Sequence, residues 1–177
     1  GKLVCKDGGR YEGDWRDGKL HSEVRTAKLK APSGALYEGQ LVKGVRHGKG
    51  TQMYDDGDSY KGEWREGVRH GNGTYVWSRG MRYVGRWQDG EMCGNGKITW
   101  PDGRAYEGGF IGNRPNGHGC LRTRGEGEIK GKWRDGLLVQ CWEGSPPVLV
   151  DATAEGRPQV VVPRAPPFAP LPTFDVR

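Results

Sequence analysis

The sequence predicts an all-β fold: a long antiparallel meander of about six stacked β-hairpins, followed by an extended proline-rich tail. Three observations carry this. A Tyr-x-Gly-x-Trp motif, or a close variant, recurs six times at near-constant spacing. Glycines mark each recurrence at set offsets. The composition also argues against an ordinary two-layer core, since only 33% of the 177 residues are hydrophobic while 32 are Gly, against roughly 7% Gly in average usage. The seven Trp and seven Tyr must then supply much of the apolar burial, because each aromatic side chain buries about 150–250 Å².

In chain order the units open with Tyr11-Glu12-Gly13-Asp14-Trp15, Tyr37-Glu38-Gly39-Gln40-Leu41 and Tyr60-Lys61-Gly62-Glu63-Trp64. Then come Tyr83-Val84-Gly85-Arg86-Trp87, Tyr106-Glu107-Gly108-Gly109-Phe110 and Ile129-Lys130-Gly131-Lys132-Trp133. Successive starts differ by 26, 23, 23, 23 and 23 residues, so one early unit carries a three-residue insertion. Each unit has a Gly three places after its Trp position, at Gly18, Gly44, Gly67, Gly90 and Gly136, with Gly112 one place early. A Gly-x-Gly pair follows in Gly48/Gly50, Gly71/Gly73, Gly94/Gly96 and Gly117/Gly119. An alternating segment then ends in a turn at Asp56-Gly57, Arg79-Gly80 or Asp102-Gly103.

In a strand, residues i, i+2 and i+4 share a face. Tyr60, Gly62 and Trp64 therefore lie on one side, with Gly leaving room between two rings, while Lys61 and Glu63 point the other way. Asp-Gly flanked by alternating residues is a hairpin turn, because Gly accepts the positive φ such turns require. One unit is then one hairpin. Neighbouring hairpins are expected to stack Tyr on Tyr and Trp on Trp. That gives a structural aromatic ladder of Tyr11, Trp15, Tyr37, Tyr60, Trp64, Tyr83, Trp87, Tyr106, Phe110 and Trp133.

In these motifs the chain resembles the MORN (membrane occupation and recognition nexus) repeat family, whose consensus is close to YxGxWxxGxxHGxGxxxxxDG. The unit from Tyr60 through Gly80 matches it nearly throughout, and the resemblance covers roughly Gly1 to Trp142. It implies an elongated, single-layered, twisted antiparallel sheet. It also implies a scaffolding role, since family members serve in cilia, division structures, the cell cortex and membrane junctions, some with phospholipid contacts. Axonemal members such as radial-spoke or doublet-microtubule components are included. Two departures stand out. Ser22-Glu23-Val24 replaces the first Gly-x-Gly, and the last unit finishes on Leu137-Leu138-Val139-Gln140-Cys141-Trp142, an apolar run suited to a terminal cap.

The reading divides the chain into a repeat sheet over 1–143 and a tail over 144–177. Gly1 precedes Tyr11 by the ten residues that separate Gly50 from Tyr60, so the sheet is expected to begin mid-repeat. The tail holds eight of the eleven prolines, which favours extended polyproline II, with 148–150 and 160–162 as edge-strand candidates. Phe168, Leu171 and Phe174 are candidate anchors through which a larger assembly orders the tail.

Catalytic and ligand chemistry finds little purchase. His21, His47 and His70 share one repeat position, with Cys93 next in the series, but equivalent positions in adjacent hairpins lie roughly 9.5 Å apart at about 4.8 Å per strand. Zinc needs four donors converging at about 2.0–2.3 Å, so these are read as structural loop residues. Gly44–Thr51, GVRHGKGT, lacks the GxxxxGK[ST] spacing and following helix of a phosphate loop. Glu12, Glu38 and Glu107 recur as outward strand residues. No nucleophile-and-base arrangement rises above this repeating background, and no enzyme, cofactor, metal or small-molecule substrate is expected.

The formal charge of +6 lies entirely in the glycine-rich part, since the residues past Glu143 balance to zero. A basic surface suits acidic partners. Arg46, His47, Lys49, Arg69 and His70 fall at matching positions and are expected to form a basic loop edge for partner or lipid contact. Nucleic acid is disfavoured because the ladder consumes the aromatics that would stack on bases. Four cysteines without a CxxC pair, and no segment resembling a signal peptide, suggest a reducing compartment. The leading reading is a non-enzymatic scaffold with protein partners in a large cytoplasmic assembly, axonemal or otherwise cytoskeletal. The alternatives are a peripheral membrane module binding anionic phospholipid, or the regulatory repeat region of a larger enzyme such as a lipid kinase.

Overall fold

The computed structural model describes residues 1–125, 127–142 and 166–168, with the backbone alone for 23–25. The tail candidates at 148–150 and 160–162, Leu171, Phe174 and the boundary between 143 and 144 lie outside the described residues. Among those described, all regular structure is β-strand. Two compact units form: Gly1–Ser78 joined by Phe168, and a second beginning at Arg79.

The first unit contains β1 (Lys2–Val4), β2 (Arg10–Glu12), β5 (Ser22–Lys30), β6 (Leu36–Val42), β7 (Val45–Met53), β8 (Ser59–Arg65) and β9 (Val68–Val76), hydrogen-bonded in that order. A short ribbon of β3 (Trp15–Arg16) and β4 (Lys19–Leu20) pairs separately. The second unit runs β10 (Arg82–Gln88), β11 (Glu91–Thr99), β12 (Ala105–Ile111), β13 (Arg114–Thr123), β14 (Gly127–Arg134) and β15 (Leu137–Cys141). Within each unit every strand pairs antiparallel with the next in line, as the hairpin reading requires.

The meander uses two kinds of turn, where the sequence reading assigned only one. Each hairpin closes on a two-residue turn with both φ positive, as at Glu66 (50°) and Gly67 (84°) between β8 and β9. Such turns match the right-handed strand twist. The displaced Gly112 now has its reason: Gly112 (55°) and Asn113 (67°) form the same turn in reverse order, Asn being the side chain best suited to the left-handed region. The Asp-Gly turns instead link one hairpin to the next. There Tyr54 N–H donates to Asp58 O at 2.9 Å and Gly57 N–H to Tyr54 O at 3.3 Å, a three-residue loop ending on a left-handed Gly.

The two glycines of each Gly-x-Gly pair do different work. The first, as in Gly48, Gly71 and Gly94 (φ 57–58°), lies at a break in register: Gly62 faces Gly73, but Glu63 faces His70. The side chain at the fourth motif position caps the amide this bulge exposes. Asn72 N–H donates to Glu63 Oε1 at 3.0 Å, and Lys49 N–H to Gln40 Oε1 at 2.6 Å. The second glycine makes space for a ring.

Candidate functional site

Tyr37, Tyr60, Tyr83 and Tyr106 have no exposed surface, and each lies flat across two glycines of its own hairpin. Their hydroxyls donate to the carbonyls of Gln40 (2.8 Å), Glu63 (2.9 Å), Arg86 (3.0 Å) and Gly109 (3.3 Å), always three residues on. Burial pushes all four phenols well above the ordinary tyrosine range. Like does not stack on like. Trp64 makes edge-to-face contacts with both Tyr60 (5.0 Å between centroids, 87°) and Tyr37 (5.7 Å, 86°). Phe110 does the same between Tyr106 (5.4 Å) and Tyr83 (5.2 Å). The expected Tyr-on-Tyr ladder is therefore a Tyr–Trp alternation. Aromatic quadrupoles favour the edge-to-face contact, and tyrosines that lie along the sheet cannot reach one another. Trp15 departs from the series: it is half-buried in the β3–β4 ribbon. Its unit lacks the Gly-x-Gly pair.

Against this uniform background one stretch breaks the pattern. At the strand position occupied elsewhere by Leu20, Met92, Pro115 and Leu138, all but Leu138 fully buried, two consecutive hairpins carry Arg46 and Arg69. The register position of Leu29, Ile98 and Leu121 holds Gln52 and Tyr75, and that of Ala31 holds Tyr54, Trp77 and Trp100 in the next three units. Asp58 replaces the Ala35 and Met81 of neighbouring units. Arg46, Gln52, Asp58, Arg69 and Tyr75 cluster on β7, β9 and the turn between β7 and β8, while the aromatic that follows the strand recurs after β11 as Trp100.

These side chains lock one another. Arg46 lies 4.9 Å from the Trp64 ring centre and donates through Nη1 to Gln52 Oε1 at 3.0 Å. Gln52, fully buried, donates in turn to the carbonyls of Leu36 (3.1 Å) and Met53 (2.8 Å). Burial lowers the Arg46 pKa and raises that of the Tyr54 phenol. Asp58, 5% exposed, accepts from Tyr75 Oη at 2.5 Å and from Ser78 N–H at 2.8 Å, which holds the Tyr75 ring. Tyr75 packs against Trp77 at 4.6 Å and Tyr54 at 5.9 Å. The Arg69 guanidinium, 6% exposed, sits 5.2 Å from the Tyr75 ring.

Into this corner comes Phe168. Its ring stacks on Trp77 (5.4 Å, 24°), meets Tyr75 edge-on (4.9 Å, 66°) and lies 4.2 Å beneath the Arg69 guanidinium. The slot has an indole floor, a phenol wall and a cationic lid. It holds no nucleophile–base pair. What it can do is grip a flat ring by stacking and cation–π attraction, the latter about 0.5–2 kcal/mol depending on desolvation.

The residues expected on a basic loop edge divide. None is in a loop: Arg46, His47 and Lys49 belong to β7, and Arg69 and His70 to β9. His47 and Lys49 are exposed, His70 is half-buried, and both arginines turn inward. Alternation along a strand separates Arg46 from His47, so sequence neighbours end on opposite faces. His21 uses Nδ1 to accept from Lys43 N–H at 3.3 Å. The sequence reading missed Tyr54, Asp58, Tyr75 and Trp77 altogether. The available signal was mixed: Asp58 and Tyr75 depart from the residues at their register position, whereas Tyr54 and Trp77 continue to Trp100 as an aromatic series at the same 23-residue spacing.

The MORN repeat family model matches residues 11–23, 37–59, 60–82, 83–103 and 106–124. A search of the curated proteins found no match. Among solved structures the chain is similar to the SAS-4 (dCPAP) TCP domain of Drosophila melanogaster in complex with a proline-rich motif of Ana2 (dSTIL). That match has 13% identity and a TM-score of 0.36, and covers 74% of this chain and 70% of that one. It is also similar to the wild-type TCP10 domain of Danio rerio CPAP in complex with a peptide of Danio rerio STIL. Here identity is 16% and the TM-score 0.29, over 78% of this chain and 62% of that one.

Proposed function

The chain belongs to the MORN repeat family, and we propose that it acts as a non-catalytic interaction scaffold in a multi-subunit cytoplasmic assembly of the cytoskeleton, specifically a ciliary or flagellar axoneme. One observation carries this reading. The recurring tyrosines, glycines and Trp/Phe rings hold the sheet together, while the second motif position faces outward in every unit, at Glu12, Glu38, Lys61, Val84, Glu107 and Lys130. Most of those positions carry exposed charge, as in Lys28–Glu38 (3.6 Å) and Lys97–Glu107 (3.4 Å). Such surface pairs contribute little to folding, about 0–1 kcal/mol, so their pattern is open to selection for contact. The net charge of +6 suits acidic protein partners such as tubulin-like surfaces.

The lipid alternative has a smaller exposed basic edge than the sequence suggests. Of Arg46, Lys49 and Arg69, only Lys49 is exposed, and Arg69 keeps 6% of its surface. Expression of the tagged chain in ciliated cells, followed by detergent extraction and fractionation, tests the proposal. Retention in the axonemal or cytoskeletal fraction is expected. Complete recovery as a soluble monomer would overturn it.

A further inference from the structure

We infer that the slot formed by Arg69, Tyr75 and Trp77 is a binding site for an aromatic residue in a proline-flanked segment of a partner protein, and that Phe168 is its resident competitor. The inference deepens the scaffold reading above and rests on it.

The argument begins with what the fold alone needs. In the second unit the equivalent strand position is filled by Met92 and Pro115, and the sheet is complete with apolar side chains there. Placing a guanidinium at this buried position is costly unless something compensates it. Asp58 is a second buried charge in the same place, and its carboxylate is used to hold Tyr75. A patch that only had to be stable would carry Leu or Met. This one is built from a cation, a phenol and an indole around the ring of Phe168.

The occupant shows what the slot selects. Phe168 makes the stacked contact with Trp77 and lies closer to the Arg69 guanidinium than Tyr75 does, 4.2 against 5.2 Å. Pro166 and Pro167, which precede it in the sequence, are exposed. Proline presets the extended backbone and lowers the ordering cost of such a ligand. Trp77 Nε1 is buried with no acceptor among the described residues, a donor positioned for a carbonyl of whichever segment brings the ring. A ligand on the same chain acts at an effective concentration of order mM. A partner must therefore add contacts of its own to displace it, which makes occupation by Phe168 a threshold against weak ligands.

The test uses the full chain and a fluorescent synthetic peptide of residues 163–171, PRAPPFAPL, read by anisotropy. The Phe168→Ala chain should bind this peptide at least about tenfold more tightly than the unaltered chain does. A peptide with Ala in place of its Phe should not bind. Adding Arg69→Met to Phe168→Ala, which installs the residue found at the equivalent position 92, should abolish binding while the circular dichroism spectrum is kept. Three results would overturn the proposal: equal peptide affinity for the unaltered and Phe168→Ala chains, binding of the Phe-less peptide, or binding undiminished by Arg69→Met. An unaltered chain that elutes as a dimer and becomes monomeric on Phe168→Ala would also overturn it, by assigning the slot to the tail of a second copy. Failure of the peptide experiment with the chain still retained on axonemes would sink this inference and leave the scaffold reading standing.

Discussion

Replacing Gly73 by Ala isolates the physical reason for the second glycine of each pair. An added Cβ would lie 2.6 Å from both Cε2 and Cζ of Tyr60, well inside van der Waals contact. The ring has nowhere to go: it is fully buried, its hydroxyl is bonded to Glu63 O at 2.9 Å, and Trp64 stands against it at 5.0 Å. Gly73 is not among the positive-φ residues, so alanine's backbone preference is not the obstacle. Overpacking costs about 1–3 kcal/mol, and disturbing the phenol hydrogen bond adds about 1 kcal/mol. The expected loss is about 2–4 kcal/mol, which at about 3 °C per kcal/mol lowers Tm by roughly 6–12 °C for a chain of this size.

The decisive assay is a double-mutant cycle with Tyr60→Ala, which alone costs about 3–5 kcal/mol as a large-to-small change. With the ring gone, Gly73→Ala should cost less than about 0.5 kcal/mol, giving a coupling of about 2–3 kcal/mol. Urea unfolding would be followed by Trp fluorescence and circular dichroism together, because repeat arrays can unfold in parts. Where the two probes part, amide exchange on β8 and β9 supplies the local value. An equal penalty in both backgrounds would refute the steric account. Gly117→Ala is the contrasting control. Nothing lies within 4 Å of its added Cβ, but φ is 85°, so its cost of about 1–2 kcal/mol comes from the backbone alone.

Two further outcomes are expected. Asn113→Ala should lose about 2–3 kcal/mol in urea unfolding, because alanine is strained at φ 67° and Met92 N–H loses its 2.7 Å bond to Asn113 Oδ1. Asn113→Gly should recover the backbone part and leave a deficit of about 1 kcal/mol. In alkaline titration followed by ultraviolet absorbance, Tyr37, Tyr60, Tyr83 and Tyr106 should stay un-ionised until the chain unfolds, since burial raises all four. The raised native values mean that full stability is kept below the unfolded tyrosine pKa of about 10. Stability then falls as pH rises beyond it, because only the unfolded chain releases those protons. Four phenols ionising near pH 10 in the folded chain would contradict the burial.

Local chemistry made much of the architecture readable in advance. The 23-residue period, the paired glycines and the alternation through Tyr60, Gly62 and Trp64 are constraints within one hairpin, so one hairpin's residues suffice to state them. Strand order followed because each hairpin can pair only with what the chain next supplies. The displaced Gly112 was visible as an irregularity, but its meaning depended on the backbone angles of Asn113.

The ladder's true geometry and the aromatic slot were not legible in the same way. Whether Trp64 meets Tyr60 edge-on depends on where a buried ring settles against the carbonyl three residues ahead, which no spacing records. Arg46 and Arg69 looked like solvent-facing cations because charge normally seeks water. Only the folded sheet, with its bulge at Gly71 and the partners Gln52, Trp64 and Tyr75 brought alongside, shows both turned inward. The residues that hold Phe168 lie about a hundred positions earlier in the chain, and contacts across such a separation are decided by tertiary packing. The amino-acid order determined a series of glycine-hinged aromatic hairpins. Which of those hairpins gives up apolar filling to grip a ring was settled in three dimensions, by the competition between burying charge and pairing it.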